Sequence, residues 1–163
     1  MLLGVLVSCF GCESSPQRPP GMPSLVRRAK ITVTQAGRPL ADAKIILVSE
    51  GNQVPWTVGG KTDQNGVARL VTHGQFPGAP EGKYKVVVTK LEKPDKSRLP
   101  GDSKSWSKDE EESARTFYDL VESEFGETST TPLTVEILSS SYEATVDVGK
   151  PVRIKHVMSK GVP

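Results

Sequence analysis

The side chains that most often carry chemistry are few in this chain and poorly spaced for it. A zinc site needs three or four converging nitrogen, sulfur or oxygen ligands. The two histidines, His73 and His156, are far apart, and no HxH or HxxxH spacing occurs. Both cysteines, Cys9 and Cys12, lie at the extreme N-terminus, so the body has no thiol nucleophile, thiolate ligand or disulfide. Asp63-Gln64-Asn65-Gly66 reads like the opening of a calcium loop. The bidentate glutamate such a loop needs at its twelfth position would fall on Gly74. The same residues suit a turn, with Asp63 accepting backbone N–H groups and Asn65 and Gly66 tolerating positive φ. We therefore read Asp63, Asn65 and Gly66 as structural. No GxSxG marks a nucleophilic serine. The expectation is a protein that is not an enzyme and uses no cofactor or metal.

Binding is better served. Trp56 and Trp106 each stand in polar, turn-rich sequence rather than inside a strand pattern. A large aromatic there either stacks on a sugar ring or anchors a partner, or it folds back over a sheet edge. Folding back is the more frequent fate. Charge is split locally: residues 83–108 are mainly basic and residues 109–127 mainly acidic. Lys93, Lys96 and Arg98 form a basic loop able to meet an anionic glycan or headgroup. Pairing with the chain's own acids, or plain solvation, competes with that role. The formal net charge of +2 gives no global field for nucleic acid, which is not expected as a partner.

The elements that must position these residues are short strands. In residues 29–34, Ala29, Ile31 and Val33 alternate with polar neighbours, the period of a half-buried strand. Residues 43–48 are apolar on both faces and belong in the middle of a sheet. Further strands are expected over 67–72, 83–90, 133–137, 144–148 and 152–155, and a weak one over 54–58 because Pro55 cannot donate to a ladder. Gly149-Lys150-Pro151 would turn the chain between the last two. Ser107-Lys108-Asp109-Glu110 is a capping box. Ala114, Phe117, Tyr118, Val121 and Phe125 follow at helical spacing, which predicts a helix over 108–125 closed by Gly126. Seven or eight strands with one inserted helix indicate a mainly β, antiparallel, Ig-like sandwich. No internal repeat is visible.

The N-terminal Met1-Leu2-Leu3-Gly4-Val5-Leu6-Val7-Ser8 is apolar but much shorter than the roughly 20 residues that span a bilayer. With Cys9 it ends in Leu6-Val7-Ser8-Cys9, which resembles a bacterial lipoprotein lipobox. Cys12 matches less well. The resemblance implies a signal peptide over 1–8, cleaved before a lipidated Cys9. No Lys or Arg precedes Cys9, so a basic leader would start upstream of Met1. The other reading is a frayed apolar terminus. Residues 9–28 are polar and Pro-rich and read as an extended tether, leaving 29–163 as the folded domain.

Gly37-Arg38-Pro39-Leu40-Ala41-Asp42-Ala43, Thr62-Asp63-Gln64-Asn65-Gly66 and Gly82-Lys83-Tyr84-Lys85-Val86 resemble the turns and strands of the carboxypeptidase regulatory-like family. The likeness covers 31–90 closely and 133 onward more loosely. It implies a transthyretin-like sandwich, usually a non-catalytic module at a cell surface. Hydrolases and intradiol dioxygenases built on related sandwiches use His-rich or Tyr/His sites. Tyr84, Tyr118 and Tyr142 with the two histidines do not reproduce those sites. Residues 128–137 also resemble the ending of small predicted lipoproteins of planctomycete-type bacteria. The family's minimal domain lacks the segment 91–127, an insert here. Together these features imply a protein anchored in the cell envelope by its lipid, on the periplasmic or surface face. Its partner is expected to be an envelope protein, or in the alternative a glycan.

Overall fold

The computed structural model describes residues 17–51, 56–93, 106–138 and 142–158. The chain is mainly β, in short strands. The N-terminal half runs β1 (Leu25–Val26), β2 (Lys30–Gln35), β3 (Arg38–Pro39), β4 (Lys44–Ser49) and β5 (Val58–Lys61). It continues through β6 (Val67–Arg69), β7 (Val71–Thr72), β8 (Phe76–Pro77), β9 (Ala79–Pro80) and β10 (Gly82–Thr89). After β11 (Leu91–Glu92) come helix α1 (Lys108–Arg115), β12 (Thr116–Asp119) and a 3-10 turn over Ser123–Gly126. The chain closes with β13 (Thr134–Ile137), β14 (Glu143–Asp147) and β15 (Ile154–Val157).

Two sheets enclose the core. One orders its strands β13-β10-β4-β5-β7-β8, and the other β14-β2-β3 with β6 also on β2. Ile31 and Val33 of β2, Ala68 and Val146 face Ile45, Leu47, Val58, Tyr84, Val86, Val88, Val135 and Ile137 across a single buried cluster. The alternation in sequence thus becomes an inner and an outer face, as a pleated strand requires. The one buried phenol, Tyr84, donates to the Pro80 carbonyl at 2.9 Å, and burial pushes its pKa up.

Turn chemistry fixes the register. Ala36 and Gly37, both at positive φ, make the two-residue turn between β2 and β3. Asp147 secures it from the neighbouring strand: its Oδ2 accepts from Gly37 N (3.0 Å) and Thr34 Oγ1 (2.7 Å), and its Oδ1 from Gly149 N (2.9 Å). Buried Thr62 donates to the Leu40 carbonyl at 2.6 Å and accepts from Ala43 N at 2.8 Å, which stitches the 37–43 segment to the start of the next turn. There Asp63 Oδ1 accepts from Asn65 N (2.9 Å) and Val67 N (3.0 Å). The sequence that resembles a calcium loop uses this carboxylate oxygen to satisfy its own backbone.

Several expectations are corrected. The strand expected over 67–72 is two strands in different sheets. It breaks at buried Leu70, whose N–H bonds Ala29 and whose carbonyl accepts from Gly78, so the chain turns a corner there. The fold is not wholly antiparallel, since β14 runs parallel to β2. The last two strands form no hairpin, because β15 pairs with β12. Finally, the helix stops at Arg115 rather than 125. Its start is as expected, with Ser107 Oγ accepting from Glu110 N and Glu110 Oε2 accepting from Ser107 N. Its end is closed when Thr116 Oγ1 and Arg115 Nε donate to the Glu112 and Glu111 carbonyls. The β-branched and aromatic run Thr116-Phe117-Tyr118 then pairs as a strand between β11 and β15, where cross-strand packing outweighs helical spacing. Phe117 stacks on His156 in that sheet instead of burying a helix face. Val121 and Phe125 reach the core from the segment beyond, around the 3-10 turn.

Packed structure also begins before residue 29. Leu25 and Val26 pair with Pro80 and Ala79, and Val26 is buried. The weak strand expected over 54–58 is found over 58–61, and residues 52–55 lie outside the described residues.

Candidate binding groove

The outer face of the larger sheet holds an open groove of about 710 Å³. Its shape follows from strand register. Ile45 and Leu47 point into the core, so Lys44 and Ile46 point outward. Opposite them in β5 stand Lys61 and Gly59. Glycine in a strand often marks a close backbone approach, and here it marks two. A Cβ on Gly59 would run into the Ile45 carbonyl oxygen, and one on Gly60 would stand 2.6 Å from the carbonyl oxygen of Arg69. Both positions must stay bare: Gly60 lets β6 of the other sheet approach, and Gly59, opposite outward-facing Ile46, leaves a trough on the outer face. Ile46, Val71 and Leu91 add aliphatic surface, and Leu91 is 51% exposed.

The rim is cationic. Lys44 and Lys61 lie directly opposite in register, a like-charge arrangement that disfavours pairing unless something neutralises it. Asp42 does so on one side, with its carboxylate 2.6 Å from Lys61 Nζ. That hydrogen bond, the Lys61 charge and the more distant Lys90 charge hold the Asp42 carboxyl below the usual carboxylate range. Lys44 and Lys93 have no acidic partner among the described residues. The groove therefore offers aliphatic surface between Lys44, Lys93 and the Asp42-held Lys61, a surface suited to holding a ligand by contact area and charge.

Of the residues expected from sequence to bind, Lys93 lines this groove. Trp56 does not line it, although its neighbour Thr57 does, as does Gly74, the neighbour of His73. Trp56 is half-buried, with its ring edge-to-face on His73 at 5.3 Å, so one side of the indole is already occupied. Trp106, half-buried one residue before the N-cap Ser107, is not part of the groove. Lys96, Arg98, Cys9 and Cys12 lie outside the described residues. Asp63, Asn65 and Gly66 occupy the turn described above. Among the described residues no group of three or more His, Cys, Asp or Glu is placed to hold a metal. No described helix is long and apolar enough to cross a membrane. Sequence reasoning missed Lys44, Lys61 and Asp42, for which the adjacent Gly59 and Gly60 within a strand were the available signal.

No family model matches the chain, and no curated protein matches it. Among solved structures, one titled as a 9R-lipoxygenase from Cyanothece PCC8801 is similar at 15% identity and a TM-score of 0.35. The likeness covers 83% of this chain and 18% of that one. At that score it carries no argument about fold or activity.

Proposed function

We propose that this chain is a non-catalytic, lipid-anchored protein of a bacterial cell envelope. Cys9 bears the lipid, the Pro-rich segment is the tether, and the body is a carboxypeptidase regulatory-like, transthyretin-like sandwich that presents its sheet groove to a protein partner. The observation that carries this reading is the composition of the groove: backbone and aliphatic side chains exposed between Lys44, Lys61 and Lys93. Such a surface suits an extended segment with aliphatic and acidic side chains, because contact area supplies affinity and rim charges set orientation and encounter. The turns at 37–43 and 62–66, whose sequences resemble those of the family, support the fold assignment.

A photo-crosslinking residue placed at position 46 in the native envelope tests the partner. A discrete adduct that disappears when Lys44→Glu is added is expected. The same adducts from position 64, on the Asp63 turn away from the groove, would refute the assignment. The anchor is tested separately by the intact mass of the detergent-extracted protein. A chain beginning at Cys9 with added acyl mass, lost in Cys9→Ser, is the expected result, and an unprocessed soluble chain overturns it.

The Trp56–His73 ring pair, whose sequence neighbours Thr57 and Gly74 line the groove together with Lys93, favours a second reading, a module that binds an anionic glycan. Retardation by soluble acidic polysaccharides in a native gel, abolished by Trp56→Ala, would support it. Unchanged mobility with every polysaccharide would reject it.

A further inference from the structure

A second cleft, of about 540 Å³, opens on the smaller sheet where the folded body begins. Arg27, Arg28, Lys30 and Arg69 line it above Leu70, with Glu143 at one end. Three strands bring these charges together. Lys30 of β2 stands in register between Glu143 of β14 and Arg69 of β6. Glu143 neutralises Lys30 at 2.9 Å. Arg69, opposite the same lysine, has no acidic partner among the described residues, and neither Arg27 nor Arg28 has one. Arg27 and Arg28 are exposed in the turn closed by Ala29 N bonding the Val26 carbonyl. Three uncompensated guanidinium groups thus share one concavity, two from the entry of the chain and one from a strand more than forty residues later.

Like charges gathered without counter-charge weaken a fold, and aligned cationic neighbours across strands are unfavourable. Guanidinium forks match phosphate oxygens in pairs, and arginine sheds its water more readily than lysine. We propose that this arginine cleft binds the phosphate of anionic lipid headgroups and seats the domain on the membrane surface beside its own anchor. The choice of a lipid phosphate rests on the reading of the chain as an anchored envelope protein. Arg27 lies eighteen positions after Cys9, a span of at most about 60 Å even when fully extended. The cleft opens directly after β1, the first packed strand of the described body. The anchor raises the local headgroup concentration, so three charges that bind weakly by themselves suffice to set the orientation of the domain.

The test uses the full chain carrying Cys9→Ser and Cys12→Ser, which cannot be acylated, so the state of the anchor does not enter. Cosedimentation is measured with phosphatidylcholine vesicles containing about one-third phosphatidylglycerol, at low salt where surface attraction is least screened. Each Arg→Ala change at 27, 28 or 69 is expected to lower the partition coefficient about fivefold, and the triple change on the order of 100-fold. Arg38→Ala, an exposed arginine on the β2–β3 hairpin, should leave it unchanged. Glu143→Gln, which frees Lys30, should raise it several-fold, a gain that misfolding does not produce. The triple Arg→Lys chain, which keeps the charge but loses the forks, should bind several-fold less than the parent yet clearly above the triple alanine chain. Binding equal to the parent would overturn the guanidinium argument. This variant and Glu143→Gln carry the test if the triple alanine chain does not fold.

Equal binding by parent and triple alanine chains, or no gain from Glu143→Gln, overturns the proposal. Equal binding to vesicles of pure phosphatidylcholine overturns it as well. Inorganic phosphate alone is followed by the arginine side-chain NMR signals. Saturation at micromolar concentration would identify a site for a soluble anion and overturn the membrane assignment, whereas shifts only in the millimolar range agree with it.

Discussion

Gly66→Ala probes the turn that joins the two sheets. Gly66 sits at φ +73°, and a methyl group there would stand 2.6 Å from the Val33 carbonyl oxygen, 3.0 Å from Leu40 N and 3.2 Å from Pro39 Cα. All three are backbone atoms and cannot swing away as a side-chain tip can. The left-handed conformation alone costs an L residue about 1–2 kcal/mol. Relieving the overlap must part the turn from β2. That strains the Val33 N–H bond to the Gly66 carbonyl (2.8 Å) and the Leu40 N–H bond to the Val33 carbonyl (2.9 Å). Each such bond contributes about 0.5–1.5 kcal/mol. The expected loss is about 2–5 kcal/mol, or about 5–20 °C in Tm for a chain of this size. Gly37→Ala is the matched control, since Gly37 has φ +74° but nothing within 4 Å of its added Cβ. It should cost only the conformational term, about 1–2 kcal/mol. Calorimetry of both variants decides the matter. Equal losses would show that the contact with β2 contributes nothing and would refute the packing argument.

The remaining predictions concern charges and the satellite sheet. The Asp147 carboxyl is held below its usual range by the Gly37 N–H first, then by the Thr34 hydroxyl and the Gly149 and Ala36 N–H groups. A depressed folded-state pKa means a contribution present in full above about pH 4 and lost as pH falls through the lower folded value. Asp147→Asn should therefore flatten the acid limb of stability in urea melts taken between about pH 2 and 5, and identical limbs would count against the hydrogen bonds. Phe117→Asp should break the 5.0 Å stack on His156, so amides 154–157 exchange about tenfold faster while β10 stays protected. Faster exchange throughout would show that this sheet is part of the main cooperative unit. Arg153 forks onto Glu92 with two 3.2 Å bonds and lies 3.5 Å above the Tyr118 ring, yet both partners of the ion pair are about half exposed. Screening there leaves little net gain, so Arg153→Ala should leave Tm nearly unmoved, and a large drop would reveal a network stronger than exposure allows.

The inner faces were legible in the sequence because they obey a local rule. Ile31 and Val33, Tyr84, Val86 and Val88, and Val135 and Ile137 alternate in the chain and are buried in the fold, whereas the run 45–48 is apolar on both faces and only register turns Ile45 and Leu47 inward. The turn at 63–66 and the capping box at Ser107 and Glu110 were legible for the same reason, since each closes its hydrogen bonds within a few residues. What escaped depends on distant partners. Thr116-Phe117-Tyr118 suits a helix or a strand equally, and only the arrival of β15 selects the strand. The sheet change at Leu70 leaves no mark in the alternation. Lys44, Lys61 and Lys93 lie on separate strands or connections, as do Arg28 and Arg69, so each looked like an ordinary surface charge until register set it beside the others.

The parallel pairing of β14 with β2 also has a kinetic meaning. The Thr34 hydroxyl and the Asp147 carboxylate that meet in it are 113 positions apart. Closing a loop of that length costs on the order of 4 kcal/mol of chain entropy before any contact repays it. The neighbours of β2 on its other side, β3 and β6, come from nearby sequence and can associate early. A nascent chain therefore carries one side of β2 as an unpaired edge, exposed to other chains, until residues 143–147 have been released. The strand that protects the first long one is thus among the last to be made, with only β15 after it.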